Sequence, residues 1–251
     1  FSTCSAVDDP GFNTGPTVRS LLEHTAGIPD IGMKLYASTE FQSDPLQRQK
    51  TVASKLLPKQ KRWSKPDGAA RYSNSHYLLL AAIVEHVSGE SFDRYLQRNV
   101  FSELNLGSTG FRLKSDSTPM LGSHPVDLTS FFAFRYVNKE RAVHRKVDGR
   151  YWFNPVYNAS LGSTGALSNG QDMASFMISM LHCLRREMTG ALRASCDAIL
   201  ESPLTKVEKS PARGVRNLKQ RLGWFVSSTE QGESYSHGGS GMGFSSMLQL
   251  F

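Results

Sequence analysis

Residues 71–80, RYSNSHYLLL, carry the strongest structural signal in the chain. A tyrosine, a serine and an asparagine stand directly before a strongly apolar run. The apolar residues that follow recur at three- and four-residue steps, as on a helix with one broad buried face, and Gly89 ends the pattern. We therefore predict a helix over residues 75–87, with Tyr72 and Asn74 at the junction between the preceding loop and its first turn.

Tyr72 and Asn74 have a chemical and a structural interpretation. A phenol has a reference pKa of about 10, so it acts as a base near neutral pH only beside positive charge or donated hydrogen bonds. If the backbone is extended, Asn74 projects to the same side as Tyr72, where its amide can bind a substrate carbonyl or a catalytic lysine. The same residues are also typical of a plain helix N-terminus, in which Ser73 or Asn74 caps free N–H groups and Tyr72 packs half-buried.

A second polar stretch lies near the end of the chain, where residues 235–241 read YSHGGSG. A strand that ends in His237 followed by Gly238 and Gly239 presents an imidazole beside bare backbone. Without Cβ atoms, a ligand can lie against the strand edge and pair with it, and an N–H there can serve an oxyanion hole. The alternative is a glycine-rich hairpin with an exposed histidine.

The rest of the chain mixes helices with strands. Thr17 is a predicted cap for a helix over residues 18 to about 24, and short connections between the closing strands favour hairpins. We predict an α+β fold, in which an antiparallel β-sheet is flanked by helices, in one domain over residues 1–251. Further predicted elements include a short helix capped by Ser91, a helix headed by a capping box at residues 168–171, a helix at about residues 192–200, and strands at residues 222–228, 234–237 and 244–251.

The composition is typical of a soluble globular protein, with 39% hydrophobic and 20% charged residues. No run approaches the roughly 18 apolar residues of a membrane span. Lysine and arginine number 29 against 22 acidic residues, which gives a net charge of +7. Much of the excess lies in residues 139–150 and 206–221, which we interpret as solvated loops. The alternative is a surface that attracts nucleic acid. No aromatic residues are interleaved with the basic ones to support it, so we expect no nucleic-acid partner.

The cysteines and histidines do not form the sequence patterns of a disulfide framework or a metal site. Cys4, Cys183 and Cys196 are too scattered for a disulfide framework, and Cys183 falls on an apolar helical face, so we predict a buried free thiol there. There are seven histidines but no His-Glu-x-x-His and no Cys-x-x-Cys. We expect neither a metal nor another cofactor.

Five motifs, in this order and spacing, resemble the serine β-lactamase-like and penicillin-binding-protein family. The branch that they resemble most contains class C β-lactamases, DD-peptidases, related esterases and LACTB-type proteins. Each motif alone is weak, but the ordered set runs over nearly the whole chain. The motifs are VRSLLEHTAGI at residues 18–28, YSN at residues 72–74 with its leucine-rich helix, GALS at residues 165–168, LGW at residues 222–224 and HGG at residues 237–239.

The resemblance implies a β-lactamase/transpeptidase-like fold and a set of site residues. In the family, Tyr-x-Asn supplies the general base and a substrate-binding amide, and a Lys/His-Thr/Gly-Gly strand lines the site. By resemblance, Tyr72 and His237 are catalytic, while Asn74, Gly238 and Gly239 bind the substrate. The implied reaction is acyl-enzyme chemistry on an amide or ester bond of a small-molecule or peptide-like substrate.

The chain departs from the family at the nucleophile. The family's Ser-x-x-Lys heads a long helix well before the segment that matches residues 18–28, and only 17 residues precede that segment here. No Ser-x-x-Lys stands in that context, so we expect truncation at both ends, with the nucleophile helix and a C-terminal helix outside the chain. The alternative hypothesis is a non-catalytic relative that keeps the scaffold for binding or for self-assembly as a homo-oligomer.

Overall fold

A computed structural model describes residues 16–30, 69–111, 144–147, 150–153, 162–209, 218–230, 232–241 and 244–251. The helices are α1 (Val18–Leu22), α2 (Asn74–Ser88), α3 (Phe92–Leu96), α4 (Gly170–Leu184) and α5 (Arg193–Glu201). The strands are β1 (Ala70–Arg71), β2 (Gly110–Phe111), β3 (His144–Val147), β4 (Arg150–Phe153), β5 (Ala166–Leu167), β6 (Thr205–Lys209), β7 (Lys219–Arg221), β8 (Trp224–Thr229), β9 (Gly232–Gly241) and β10 (Phe244–Leu250).

The main sheet has six strands in the spatial order β1-β6-β7-β8-β9-β10. β1 pairs with β6 in parallel, and the other neighbouring pairs are antiparallel. β8, β9 and β10 form a meander in which Ser236 lies opposite Phe225 and His237 lies opposite Leu248. The predicted α+β class, with a mostly antiparallel sheet and flanking helices, is confirmed.

Helix α1 begins as the sequence predicts. The N–H of Ser20 donates to Oγ1 of Thr17 at 3.0 Å, and the N–H of Thr17 donates to Oγ of Ser20 at 2.9 Å, which makes a reciprocal capping box. The helix ends at Leu22 rather than near residue 24, because His24 adopts the left-handed conformation with a φ of 54°. A left-handed residue cannot continue a right-handed helix.

Helix α2 is the helix predicted after Tyr72, and it ends as expected at Gly89. This glycine has a φ of 72°, and its N–H donates to the carbonyl of Glu85 at 3.0 Å. The buried face of α2 packs on α1 and the turn after it, which brings residue 24 close to residue 72. The buried side chains of this first core cluster are Leu21, Ala26, Ile28, Leu78, Leu79 and Ala82.

A second core cluster lies between helices α4 and α5 and the meander of the sheet. Cys183 and Cys196 form a disulfide within it, with Cα atoms 5.4 Å apart. The predicted free thiol at Cys183 was therefore wrong, because α5 turns back onto the apolar face of α4 and brings a second cysteine to it. Cys4 lies outside the described residues. The buried members of the cluster are Met180, Cys183, Cys196, Val226, Tyr235 and Leu250.

Two local predictions need correction. The cap of α4 is Asn169, whose Oδ1 accepts from the N–H of Asp172 at 2.8 Å, and not the predicted capping box at residues 168–171. The basic segments 139–150 and 206–221 were interpreted as loops, but their described parts contribute β3, the start of β4, β6 and β7. Lysine is tolerated in such strands where its side chain faces solvent, since sheet pairing uses only the backbone.

The short helix after Ser91, the helix near residues 192–200 and the three closing strands are confirmed.

Within the described residues, no helix is long and apolar enough to cross a membrane.

Candidate active site

Tyr72 lies at the junction between β1 and α2. Its hydroxyl donates to Oδ1 of Asn74 at 3.3 Å. Ser73 between them is extended, with φ −150° and ψ 119°, and residues on either side of an extended residue project to the same side. The two side chains that the sequence singled out are therefore in contact.

The polar side chains at this junction do not act as helix caps in the described structure. Ser73 occupies the N-cap position of α2 but its side chain makes no capping hydrogen bond. The amide of Asn74 is used elsewhere, because its Nδ2 donates to Oδ2 of Asp30 at 3.0 Å while its oxygen accepts from Tyr72. The carboxylate of Asp30 thus sets which end of the Asn74 amide faces the tyrosine.

His237 approaches the same tyrosine from the sheet. Its ring centroid lies 6.4 Å from that of Tyr72, and it stacks on Phe225 of β8 at 5.4 Å. Burial lowers the pKa of His237 below its ordinary value of 6.5, against a smaller opposing effect of a hydrogen bond with the backbone of Gly238. The imidazole is therefore mainly neutral at neutral pH.

Gly238 and Gly239 continue β9 beyond the histidine, opposite Met247 and Ser246 of β10. Both glycines are exposed. A Cβ atom on Gly239 would lie 2.7 Å from Oγ of Ser246, so this glycine also permits a close cross-strand approach. The sequence predicted a strand that ends at His237, but β9 continues through both glycines, which pair with β10. A Cβ atom at position 239 would require the Ser246 side chain to move.

His24 is a residue of this site that sequence reasoning did not single out. It is 4% exposed, and its ring lies 4.6 Å from the Tyr72 ring between centroids. Its Nδ1 lies 3.2 Å from Nδ1 of His76 and accepts from the N–H of Ser73, also at 3.2 Å. The available signal was the histidine inside the motif at residues 18–28, but nothing in its spacing pointed to residue 72.

The imidazoles of His24 and His76 are uncharged because they are buried. Burial lowers the pKa of His24 to about 3, with further lowering by the nearby His76 and His237. Burial also lowers the pKa of His76 to about 4, while a hydrogen bond with the backbone of Ile28 and the charge of Asp30 oppose the shift. The tyrosine ring thus lies beside two mainly neutral imidazoles, those of His24 and His237, and His76 packs against His24. The described residues contain no group of three His, Cys, Asp or Glu side chains that could hold a metal ion.

Acid is expected to destabilise the fold through this buried pair. The folded pKa values of His24 and His76, about 3 and about 4, lie below the ordinary 6.5. The unfolded chain therefore binds more protons between these values, and the stabilising contribution is complete above pH 6.5 and declines as the pH falls towards the folded pKa values. Urea unfolding at about pH 7 and about pH 4.5 measures the difference. The stability of His76→Leu should depend less on pH than that of the wild type. An equal pH dependence would contradict the prediction.

Tyr77 of helix α2 connects the site to the turn before β8. Its hydroxyl donates to the carbonyl of Leu22 at 3.2 Å, and burial raises its pKa above the ordinary value. Gly223, in the turn before β8, has a φ of 91° and leaves no room for a Cβ atom against the Tyr77 hydroxyl. The Tyr77 phenol on α2 therefore contacts both the end of α1 and the turn before β8.

Gly223→Ala is expected to lower the free energy of unfolding by about 1–3 kcal/mol, because alanine is strained at positive φ and its Cβ would collide with Tyr77. Chemical denaturation followed by circular dichroism measures the change. Gly107→Ala is the control, since a Cβ atom on Gly107 would meet no atom within 4 Å and its φ is not positive. Equal stabilities for the two variants would show that the close approach at Gly223 is unimportant.

The chain is similar to known proteins in sequence and in fold. The family model described as "Beta-lactamase" matches residues 7–251. A penicillin-binding protein of Bacillus subtilis (strain 168) is 30% identical over 102 residues, which is 40% of this chain and 22% of that protein. The octameric penicillin-binding protein homologue from Pyrococcus abyssi superposes with a TM-score of 0.65 at 19% identity, over 94% of this chain and 49% of that chain. The D-stereospecific amidohydrolase from Streptomyces sp. superposes with a TM-score of 0.61 at 20% identity, over 94% of this chain and 64% of that chain.

In each of these comparisons the matched region spans less than two thirds of the related protein. At identities of 19% and 20%, the structural similarity shows a common fold.

Proposed function

The chain belongs to the beta-lactamase family, and we propose that it carries the general base and the substrate-binding groups of a serine hydrolase. The proposed reaction is cleavage of an amide or ester bond through an acyl-enzyme. The observation that carries the proposal is the meeting of Tyr72 and Asn74 at the start of α2 with His237 on β9. Two separate parts of the chain supply these groups, and the family's motifs fall on them.

In the proposed mechanism, Tyr72 removes the proton from the attacking serine hydroxyl. The serine oxygen then bonds to the substrate carbonyl carbon, and the proton passes to the departing amine or alcohol as the bond to it breaks. A tyrosine base ionises more readily when hydrogen bonds are donated to it or when positive charge lies nearby. His24 and His237 are mainly neutral at neutral pH, so they do not supply it. The lysine of the family's Ser-x-x-Lys would do so, and the nucleophile is not assigned to a residue of this chain.

The remaining groups would hold the substrate. One N–H of the Asn74 amide donates to Asp30, which leaves the second for a substrate carbonyl. The exposed backbone at Gly238 and Gly239 is suited to pairing with an extended peptide-like substrate along β9. His237 would hydrogen-bond the substrate from the same strand. A small-molecule or peptide-like substrate with a carbonyl beside an extended backbone fits this arrangement.

Active-site labelling tests the proposal. We expect the protein purified from its own cells to react with a fluorophosphonate or a fluorescent penicillin, and mass spectrometry to place the label on the serine of a Ser-x-x-Lys. Prior heat denaturation should abolish the labelling. A protein that neither reacts with these probes nor hydrolyses ester or amide substrates would overturn the proposal.

The alternative function is a non-catalytic scaffold that binds or self-assembles. One observation favours keeping it: a protein of the same fold from Pyrococcus abyssi is octameric. Light scattering after size exclusion separates the two proposals when it is combined with the labelling. A homo-oligomer without labelling would support the scaffold, whereas a labelled protein in any oligomeric state would not.

A further inference from the structure

Both neighbours of Tyr72 are hydrogen-bonded to a single residue. The N–H of Arg71 donates to the backbone carbonyl of His24 at 2.9 Å, and the N–H of Ser73 donates to Nδ1 of the same histidine at 3.2 Å. The His24 ring also packs on the Tyr72 ring, with 4.6 Å between centroids and an angle of 42° between planes. His24 thus holds the chain on each side of the tyrosine and one face of its ring.

His24 holds this place in a costly conformation. Its φ of 54° lies in the left-handed region, which is unfavourable for a residue with a Cβ atom. The residues around it compensate: the N–H of Thr25 donates to the carbonyl of Ser20 at 2.8 Å, and the amide of Gln220 donates to the carbonyl of Glu23. A strained residue that its surroundings hold so firmly is typical of a functional site.

The contacts assign the proton positions on the two histidines. Because the N–H of Ser73 needs a lone pair at Nδ1 of His24, the neutral His24 ring carries its proton on Nε2. Nδ1 of His76 lies 3.2 Å from the same atom, and two facing lone pairs would repel each other. The arrangement without this repulsion has the His76 proton on Nδ1, so that the one lone pair on Nδ1 of His24 faces two N–H donors, that of His76 and that of Ser73. Burial of both rings excludes the charged forms near neutral pH.

We propose that His24 and His76 are positioning residues for Tyr72: His24 fixes the backbone and ring of the tyrosine, and His76 fixes the orientation of the His24 ring. Neither histidine is assigned to the reacting atoms. The inference rests on the proposed function, since it assigns how the general base of that function is held in place. A misplacement of about 1 Å in a catalytic group is enough to cost about 100-fold in rate.

Paired substitutions separate positioning from plain packing. His76→Asn keeps an N–H donor near the place of Nδ1, whereas His76→Leu keeps the volume without a donor. His24→Asn keeps an acceptor near Nδ1, whereas His24→Gly lacks one, and both residues tolerate a positive φ. The control is His86→Leu, because His86 is exposed on the same helix α2.

Hydrolysis of p-nitrophenyl acetate by the whole protein supplies the kinetic readout. We expect His76→Leu and His24→Gly to lose about 10–100-fold in kcat with little change in KM. The two asparagine variants should recover most of that loss, and His86→Leu should match the wild type. Equal losses for the asparagine and the non-polar variants, or no loss in any variant, would overturn the inference.

Nuclear magnetic resonance gives a second readout that does not need turnover. Long-range proton–nitrogen correlation at neutral pH should show His24 protonated only on Nε2 and His76 only on Nδ1. Contacts between the His24 and Tyr72 ring protons should persist in His76→Asn and weaken in His76→Leu. The opposite protonation pattern, or ring contacts that survive in both variants, would contradict the positioning role. A wild-type protein without any hydrolysis would refute the proposed function while these spectra still test the histidine pair.

Discussion

Tyr72→Phe is expected to lower kcat/KM of the protein by about 10²–10⁴-fold, the usual contribution of a general base. The substitution removes only the hydroxyl that donates to Asn74. The ring remains to pack against His24, Phe225 and His237. Loss of one half-buried hydrogen bond costs about 0.5–1.5 kcal/mol of stability, so the variant should fold. Steady-state hydrolysis of an ester or amide substrate measures the rate, and urea denaturation confirms the fold.

Tyr95→Phe is the matched control for this prediction. Tyr95 belongs to α3 and to neither the tyrosine site nor the two core clusters, so the same loss of a hydroxyl should leave the rate within about twofold of the wild type. Full activity in Tyr72→Phe, in a protein whose wild type hydrolyses the substrate, would show that another group is the base. An unchanged biological activity in Tyr72→Phe without any hydrolysis would favour the scaffold function instead.

Leu78→Ala is expected to lower the free energy of unfolding by about 2–5 kcal/mol, because it deletes buried methyl groups and leaves a cavity. Leu78 is 2% exposed and belongs to the core cluster between α1 and α2. The same cluster holds residue 24 against residue 72. We therefore expect this variant to lose hydrolytic activity as well as stability. Chemical denaturation provides the measurement.

Val87→Ala on the same helix is the comparison. Val87 is 79% exposed, so its truncation should change the stability by no more than about 0.5 kcal/mol. Similar losses for Leu78→Ala and Val87→Ala would mean that the face of α2 carrying Leu78 is not the buried one.

Much of the local structure could be predicted because it depends on residues close in sequence. The three- and four-residue spacing of leucines, with Gly89 after them, was enough to place α2 to within about one residue at either end. Thr17 was correctly identified as a cap, since its partner Ser20 lies only three residues away. The cap of α4 was misplaced by one residue, because Ser168 and Asn169 are both good caps and the sequence does not rank them.

The candidate site was predicted in part. Tyr72 and Asn74 came from one motif and His237 from another, and the structure brings both motifs together. Their catalytic and binding roles stay predictions until the variants above are measured. His24 was missed as a site residue, although its motif was recognised, because a buried histidine in a short helix-ending turn has no pattern that points to a partner.

The sequence alone was enough to predict the family, the α+β class, helix α2 with both of its ends, the start of helix α1 and the closing meander of strands. These features depend on hydrophobic periodicity, capping and turn chemistry, which act over a few residues. The Cys183–Cys196 disulfide and the hydrogen bonds from both neighbours of Tyr72 to His24 could not be predicted, because they depend on how separate elements pack together. The His24–His76 contact joins residues 52 positions apart, and such pairs form only when two helices dock and exclude water. The same burial keeps both imidazoles neutral and able to hold the tyrosine.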